Sequence, residues 1–306
     1  MNKGIDNDIN LALCCDDNYV IPVLTCLTSV FENNRKYSFH VYIITAGISK
    51  KNESKFQHLA NFYNHNIDLK SVDSSRFDVL PSRGRYVMAT YYRYILPEII
   101  LDDKVLYLDG DIIVTSDIGD LWQTNVDNYA CAAVEDQRCD NVLLYNRFFL
   151  TSTYFNAGVL LVNLEYWRLN KITAQLFQFS IDNYDKLLYQ DQDALNVVLS
   201  GAIKYLSYKY NFQTEWYGDE FTNPAHFSKW YEIENVKNNP IVIHYTIAAK
   251  PWFRECNLPI KEIWRNYAKI HDFIEYKETR LLNFPSRVLH FLIYGVGMKL
   301  LQYFNR

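Results

Sequence analysis

Glycine is scarce in this chain, ten in 306 residues. None of the ten falls into G-x-G-x-x-G or G-x-x-x-x-G-K-[ST]. Those are the two loops whose backbone amides cradle phosphate, so any nucleotide ligand must have its charge neutralised another way. Positive charge is not in excess either: 31 basic residues face 35 acidic ones, for a formal charge of -4. That leaves no global footprint for a nucleic-acid backbone and excludes nucleic acid as a general partner. The six cysteines, Cys14, Cys15, Cys26, Cys131, Cys139 and Cys256, include no C-x-x-C pair and mostly sit in apolar segments. They read as small buried thiols, and neither disulfides nor zinc are expected. The opening MNKGIDNDIN has no apolar h-region, which predicts a cytoplasmic location.

What is abundant is core material. Hydrophobic residues make up 49% and aromatic residues 16%, ample for one large domain or two small ones. Apolar, β-branched runs at 9–15, 39–45, 104–109, 129–136, 155–164 and 240–246 read as strands, mostly buried on both faces. Stretches with helical spacing at 19–34 and 49–64 follow the first two runs, and others at 172–184 and 191–201 come later, the last stopped by Gly201. This alternation predicts an α/β fold with a mostly parallel, twisted central sheet. Ligands of such sheets bind in the crevice beyond the carboxyl ends of the strands.

Three polar clusters fall at predicted strand ends: Asp16, Asp17 and Asn18, then Asp109 and Asp111, then His244. Asp109 and Asp111 interrupt the apolar run KVLYLDGDIIV. Burying an unpaired carboxylate costs several kcal/mol, so such a pair needs a cation or donors. Residues i and i+2 of an extended chain point the same way, and Gly110 between them would let a ligand approach the backbone. A divalent cation held there would neutralise diphosphate. Asp-x-Asp also occurs at Asp6 and Asp8 and at Asp191 and Asp193, and turn aspartates satisfied by backbone amides are the competing reading. An imidazole from His244 added to the pair favours Mn²⁺ over Mg²⁺, which prefers oxygen alone. In HYTIAAKPW, Lys250 would give phosphate a cationic contact; a solvated surface lysine and a core Trp252 are the alternatives.

Taken in order, CCDDNYV (14–20), ATYYRYILPE (89–98), YLDGDIIV (107–114), FNAGVLLVNL (155–164), YQDQDALN (189–196) and HYTIAAKPW (244–252) resemble the motifs of family 8 retaining glycosyltransferases, in particular bacterial lipopolysaccharide galactosyl- and glucosyltransferases. The likeness runs over about residues 8 to 270. It implies a GT-A fold, a UDP-hexose donor, and Mn²⁺ (or Mg²⁺) held by Asp109, Asp111 and His244. Cys14, Asp16 and Asn18 would contact uracil and ribose. Arg93 would hold sugar and diphosphate, with Asn156 and Ala157 lining the sugar site. Asp191 would bind sugar hydroxyls unless it only caps its helix, Gln192 would lie near the anomeric carbon, and Lys250 would reach the phosphates. The family commonly has glycine at Ile247, where the backbone amide approaches the diphosphate, and a β-branched residue resists positive φ.

The implied reaction is transfer of galactose or glucose, with retention, to a hydroxyl of a cell-surface glycan or lipid-linked oligosaccharide such as the lipopolysaccharide core. Gln192 is a poor nucleophile, so attack from the face that UDP leaves is favoured, with Asp193 as the fallback nucleophile. A noncatalytic UDP-sugar-binding protein and a self-glucosylating or protein glycosyltransferase are the rival functions. The catalytic domain is expected over 1–275 and a helical extension over 276–306. Residues 286–306 place Leu289, Leu292, Ile293, Val296, Leu300 and Tyr303 on one helical face. That face reads either as a peripheral contact with the inner face of the cytoplasmic membrane or as packing on the catalytic domain; the apolar run is too short for the roughly 20 residues of a span.

Overall fold

The computed structural model describes residues 8–81, 88–137, 146–148, 150, 152–217, 227–248, 250–254 and 256–272. The extension expected over 276–306 lies outside these residues, as do Asp6 and Cys139. Among the described residues, seven strands form one sheet in the order β3-β2-β1-β4-β7-β6-β8. They are β1 (Asp8–Cys14), β2 (Ser38–Thr45), β3 (Asn66–Ser71), β4 (Lys104–Leu108), β6 (Cys131–Glu135), β7 (Phe155–Asn163) and β8 (Ile203–Tyr205). A second sheet has the order β5-β10-β9, from β5 (Ile112–Val114), β9 (Phe212–Gln213) and β10 (Val242–His244).

Six strands of the large sheet run one way and β7 runs against them, pairing antiparallel with both β4 and β6. The reversal matters for the site. It brings the first residues of β7, Phe155 to Gly158, to the edge where β1, β4 and β6 end. The sequence places a strand at 104–109, and the chain does leave the large sheet after Leu108; it then enters the small one at Ile112. Asp109, Gly110 and Asp111 are the crossing.

Both faces of the central strands are covered, which is why β1, β4 and β7 are apolar without alternation. Ile9, Leu11 and Leu13 of β1 pack on one side with helix α1 (Val20–Asn33), and Ala12 and Cys14 on the other. Helix α1 is buried from Val20 through Phe31 except at Ile21, which is partly buried. A helix apolar all round must be covered all round, and α1 lies between β5 and helix α5 (Lys261–Ala268) as well as against the sheet. Helix α2 (Lys50–Tyr63) is capped by Ser49, whose side chain accepts from the Asn52 amide. On the opposite face lie α3 (Ile172–Asp182) and α4 (Asp191–Val198). The five described cysteines are buried free thiols, and no described helix is long and apolar enough to cross a membrane.

Asn196 clamps helix α4 to β7 with both ends of its side chain. Asn196 Oδ1 accepts from the Phe155 amide at 2.7 Å, and its Nδ2 donates to the Phe155 carbonyl at 2.9 Å. The amide thus acts as a strand partner for a residue beside the register shift between Ala133 and Val134. Asn196→Leu orphans both buried groups, at roughly 1–3 kcal/mol each. Urea unfolding is expected to show a lower midpoint with an unchanged slope; an unchanged midpoint would show that the clamp adds nothing.

Candidate active site

The Asp109 amide donates to the Gly158 carbonyl at 2.9 Å, which fixes the crossing against the start of β7. Asp109 Oδ1 accepts from Arg93 Nη2 at 2.9 Å and from the Tyr107 hydroxyl at 2.8 Å. Its Oδ2 faces His244 Nε2 at 3.8 Å. Asp111 Oδ1 lies 3.2 Å from the same Nε2, and its Oδ2 accepts from Lys250 Nζ at 2.6 Å. Burial alone would push the Asp111 carboxyl up, but the Lys250 ammonium and the His244 imidazole outweigh it and hold the group well below the usual carboxylate range.

One atom each from Asp109, Asp111 and His244 lies within 4.8 Å of the others. Strand pairing creates this convergence: β10 pairs with β5 so that His244 is opposite Ile112, and the Tyr245 amide donates to the Asp111 carbonyl at 3.0 Å. Two carboxylates and an imidazole are a donor set that fits a divalent transition ion. The residues present therefore fit the metal that the sequence implies.

Arg93 is the buried cation of the site, 3% exposed. It comes from a 3₁₀ stretch, Met88–Ile95, with its guanidinium over the Tyr107 ring at 4.4 Å. Its Nε donates to the Thr90 carbonyl at 2.9 Å and its Nη1 to the Ala157 carbonyl at 2.7 Å. The same Nε lies 3.0 Å from Asp191 Oδ2, so one guanidinium joins Asp109 to Asp191. Burial pushes the Asp191 carboxyl up to about 6 against the pull of Arg93. Asp191 is the first helical residue of α4, and the cap position belongs to Gln190 at φ 46°. Its carboxylate therefore turns to Arg93 instead of capping. Cys14, beside Arg93 and Tyr107, has its thiol pushed up to about 12 by burial and stays protonated.

Gln192 has both ends engaged: Oε1 accepts from the Ala157 amide at 3.0 Å, and Nε2 donates to Asp136 Oδ2 at 3.1 Å. Asn156 Nδ2 donates to the same oxygen at 2.9 Å. Asp193 turns elsewhere. Its Oδ1 accepts from the Tyr154 hydroxyl at 2.6 Å, and its Oδ2 from the amides of Leu188 and Tyr189 at 2.7 and 2.9 Å. Its carboxylate is buried and secures the turn before α4.

Other sequence-predicted residues take specific jobs. Asp16 Oδ1 accepts from the amides of Asn18 and Tyr19 at 3.0 and 2.9 Å, which shapes the entry to α1 at the edge where β1 ends; Asn18 itself is exposed. Lys250 reaches Asp111 and the Tyr245 carbonyl. Ile247 is partly buried and does not take the left-handed conformation, so its β-branch meets no backbone objection here. At Gly110 a Cβ would lie 2.7 Å from Val23 Cγ2 and 2.9 Å from Tyr19 Cδ1, so α1 and the residue before it need the space that a side chain would take. Trp252 packs edge-on to Tyr19 at 5.5 Å and tilted on Trp264 at 5.3 Å, the core role.

Several residues of the site escape the sequence reading: Tyr19, which lies beside Asp111, Tyr107, Asp136 and Gly158. Asp136 ends a predicted strand as the other clusters do, and that was its signal. Gly158 sits inside a nine-residue strand, where glycine often marks a close approach. A Cβ on it would fall 2.1 Å from His244 Cε1 and 3.0 Å from Asp109 Oδ2. Gly158→Ala is therefore expected to displace the imidazole and weaken Mn²⁺ binding by roughly 10-fold or more, read by titration of the free ion. Binding at wild-type strength would show that the ring moves without cost.

The sequence profile described as Glycosyl transferase family 8 matches residues 10–256. General stress protein A of Bacillus subtilis (strain 168) is 26% identical over 268 residues, covering 86% of this chain and 93% of that protein. A lipopolysaccharide 1,2-glucosyltransferase of Escherichia coli is 28% identical over 284 residues, covering 88% and 81%. Among solved structures, the galactosyltransferase LgtC in complex with donor and acceptor sugar analogs superposes with a TM-score of 0.75 at 30% identity, over 85% of this chain and 95% of that one.

Proposed function

The chain belongs to glycosyltransferase family 8, and we propose that it moves a galactosyl or glucosyl group from a UDP-sugar to a hydroxyl of a cell-surface glycan, such as a lipopolysaccharide core, with retention at the anomeric carbon. The observation that carries this reading is the convergence of Asp109, Asp111 and His244 at the strand-end crevice, beside the Arg93–Asp191 clamp. Asp109, Asp111 and His244 would hold Mn²⁺, which when bound supplies charge neutralisation to the donor diphosphate and to the departing UDP.

The chain's own residues do the rest. Cys14 is the last residue of β1 and Asp16 and Asn18 follow it, where a nucleoside would lie in a sheet of this kind. Lys250 is placed to exchange its contact with Asp111 for one with phosphate, and Arg93 holds Asp109 and Asp191 in one orientation. Asp191 offers sugar hydroxyls a carboxylate, and the Asn156–Ala157 segment supplies the facing wall. Gln192 is held by Ala157 and Asp136, which suits a group that positions the sugar more than one that attacks it. With Asp193 engaged elsewhere, attack on the face that UDP leaves needs no protein nucleophile. A cytoplasmic enzyme reaching a lipid-linked acceptor at the inner membrane face is the setting this function calls for.

Two measurements test the proposal. Release of UDP from a panel of UDP-sugars is expected from one hexose donor, dependent on Mn²⁺, and reduced by roughly 100-fold or more in Asp111→Asn. Release that ignores both the metal and the variant would remove the metal-assisted reading, and no release with donor bound would favour a binding protein. Gln192→Ala is expected to lower kcat by about 10- to 100-fold, with the donor KM little changed and no sugar-protein adduct by mass. Complete loss of turnover with donor affinity intact would count against a purely supporting role for Gln192.

A further inference from the structure

His244 is almost fully buried, and Asn211, which faces it, has no exposed surface. Asn211 lies immediately before β9, and β9 pairs with β10 so that Gln213 is opposite His244. The Asn211 side chain thus reaches the imidazole from behind, with Oδ1 3.0 Å from Nδ1. Which ring nitrogen carries the proton follows from the hydrogen bonds that lead away from it.

A backbone amide anchors the chain of donors, because it can only donate. The Gly158 amide lies 3.0 Å from Asn156 Oδ1, which identifies that atom as the acceptor. Asn156 Nδ2 then donates to the Asp136 carboxylate at 2.9 Å. The Asn211 group facing Asn156 Oδ1 at 2.9 Å must be the amide nitrogen, since two carbonyl oxygens would repel. Asn211 therefore presents its oxygen to His244, and Nδ1 must be the protonated nitrogen. All three donations run toward Asp136, the carboxylate that also holds Gln192. In the neutral ring the lone pair is left on Nε2, which faces Asp111 Oδ1 at 3.2 Å and Asp109 Oδ2 at 3.8 Å. A lone pair beside two carboxylates is suited to a cation shared among them.

We propose that Asn211 is a positioning residue that fixes His244 as the Nδ1–H tautomer and so sets the affinity of the Asp109–Asp111–His244 group for a divalent cation. The inference rests on the metal-binding reading above. Asn211 acts through His244 and touches neither donor nor acceptor sugar. Its effect is on metal affinity first and on turnover only through the metal.

Two variants separate this role from simple packing. Asn211→Leu removes the acceptor for Nδ1–H and the donor to Asn156. Asn211→Asp also removes the donor to Asn156 but keeps an oxygen at Nδ1. Mn²⁺ binding in the presence of UDP, measured by the electron paramagnetic resonance of the free ion, is expected to weaken by about 10- to 100-fold in Asn211→Leu. Asn211→Asp is expected to stay within about fivefold of wild type, since an oxygen on the other ring nitrogen keeps the ligand oriented. Equal losses in the two variants would overturn the proposal, because the broken bond to Asn156 would then account for both. Wild-type protein that binds no Mn²⁺ would overturn the metal reading along with it.

A second measurement needs no variant of Asn211. In wild-type protein labelled with ¹⁵N-histidine and loaded with UDP, the His244 resonances, assigned by their loss in His244→Asn, are expected to show a proton on Nδ1 and a shift of Nε2 on adding the diamagnetic ion Zn²⁺, which takes imidazole nitrogen as a ligand. A proton on Nε2, or a shift confined to Nδ1, would overturn the assignment.

Discussion

Carboxylates at the rim of an apolar sheet must each find a partner, and that constraint organises this protein. Asp109, Asp111, Asp136 and Asp191 all lie where strands of the large sheet end or where the next element begins. Unpaired, each would cost several kcal/mol or take up a proton. Arg93 serves Asp109 and Asp191 together, Lys250 and His244 serve Asp111, and the amides of Asn156 and Gln192 serve Asp136. The partners come from segments far apart in the chain. Satisfying the charges therefore draws the 3₁₀ stretch at 88–95, the start of β7, helix α4 and the loop after β10 onto one crevice.

Two features of topology make this possible. The chain crosses between sheets at Asp109–Asp111, so a single turn is held by the large sheet on one side and the small sheet on the other. The reversal of β7 delivers Asn156, Ala157 and Gly158 to the edge where its parallel neighbours end. Their backbone groups are then used directly: the Ala157 amide holds Gln192, the Ala157 carbonyl holds Arg93, and the Gly158 carbonyl holds Asp109. A side chain on Gly158 would occupy the place of the imidazole. Site and fold are the same set of contacts seen from two sides.

The α/β class and the polar clusters at strand ends were legible in the sequence because buried strands and strand-end aspartates leave local marks. Pairing direction leaves none, so nothing in FNAGVLLVNL announces that β7 runs backwards. The packing at Gly110 is hidden for a related reason. A glycine between two aspartates suggests room for a ligand, while Val23 and Tyr19, which need the space, are close to it only in three dimensions. Asn211 sits in YKYNFQTEW with no pattern around it, and its role arises from hydrogen bonds to Asn156 and His244, 55 and 33 residues away. Asp193 shares its Asp-x-Asp spacing with the candidate metal ligands, yet the amides of Leu188 and Tyr189 make it part of a turn.

The central claim is that the group formed by Asp109, Asp111 and His244 is a divalent-cation site serving a nucleotide-sugar donor. Crystals grown with UDP and Mn²⁺, with data collected at the manganese absorption edge, address it most directly. The account predicts one anomalous peak bounded by Asp109, Asp111 and His244 Nε2, with the diphosphate of UDP completing its surroundings. A peak held by other residues, or UDP bound with no peak beside these three, would contradict it.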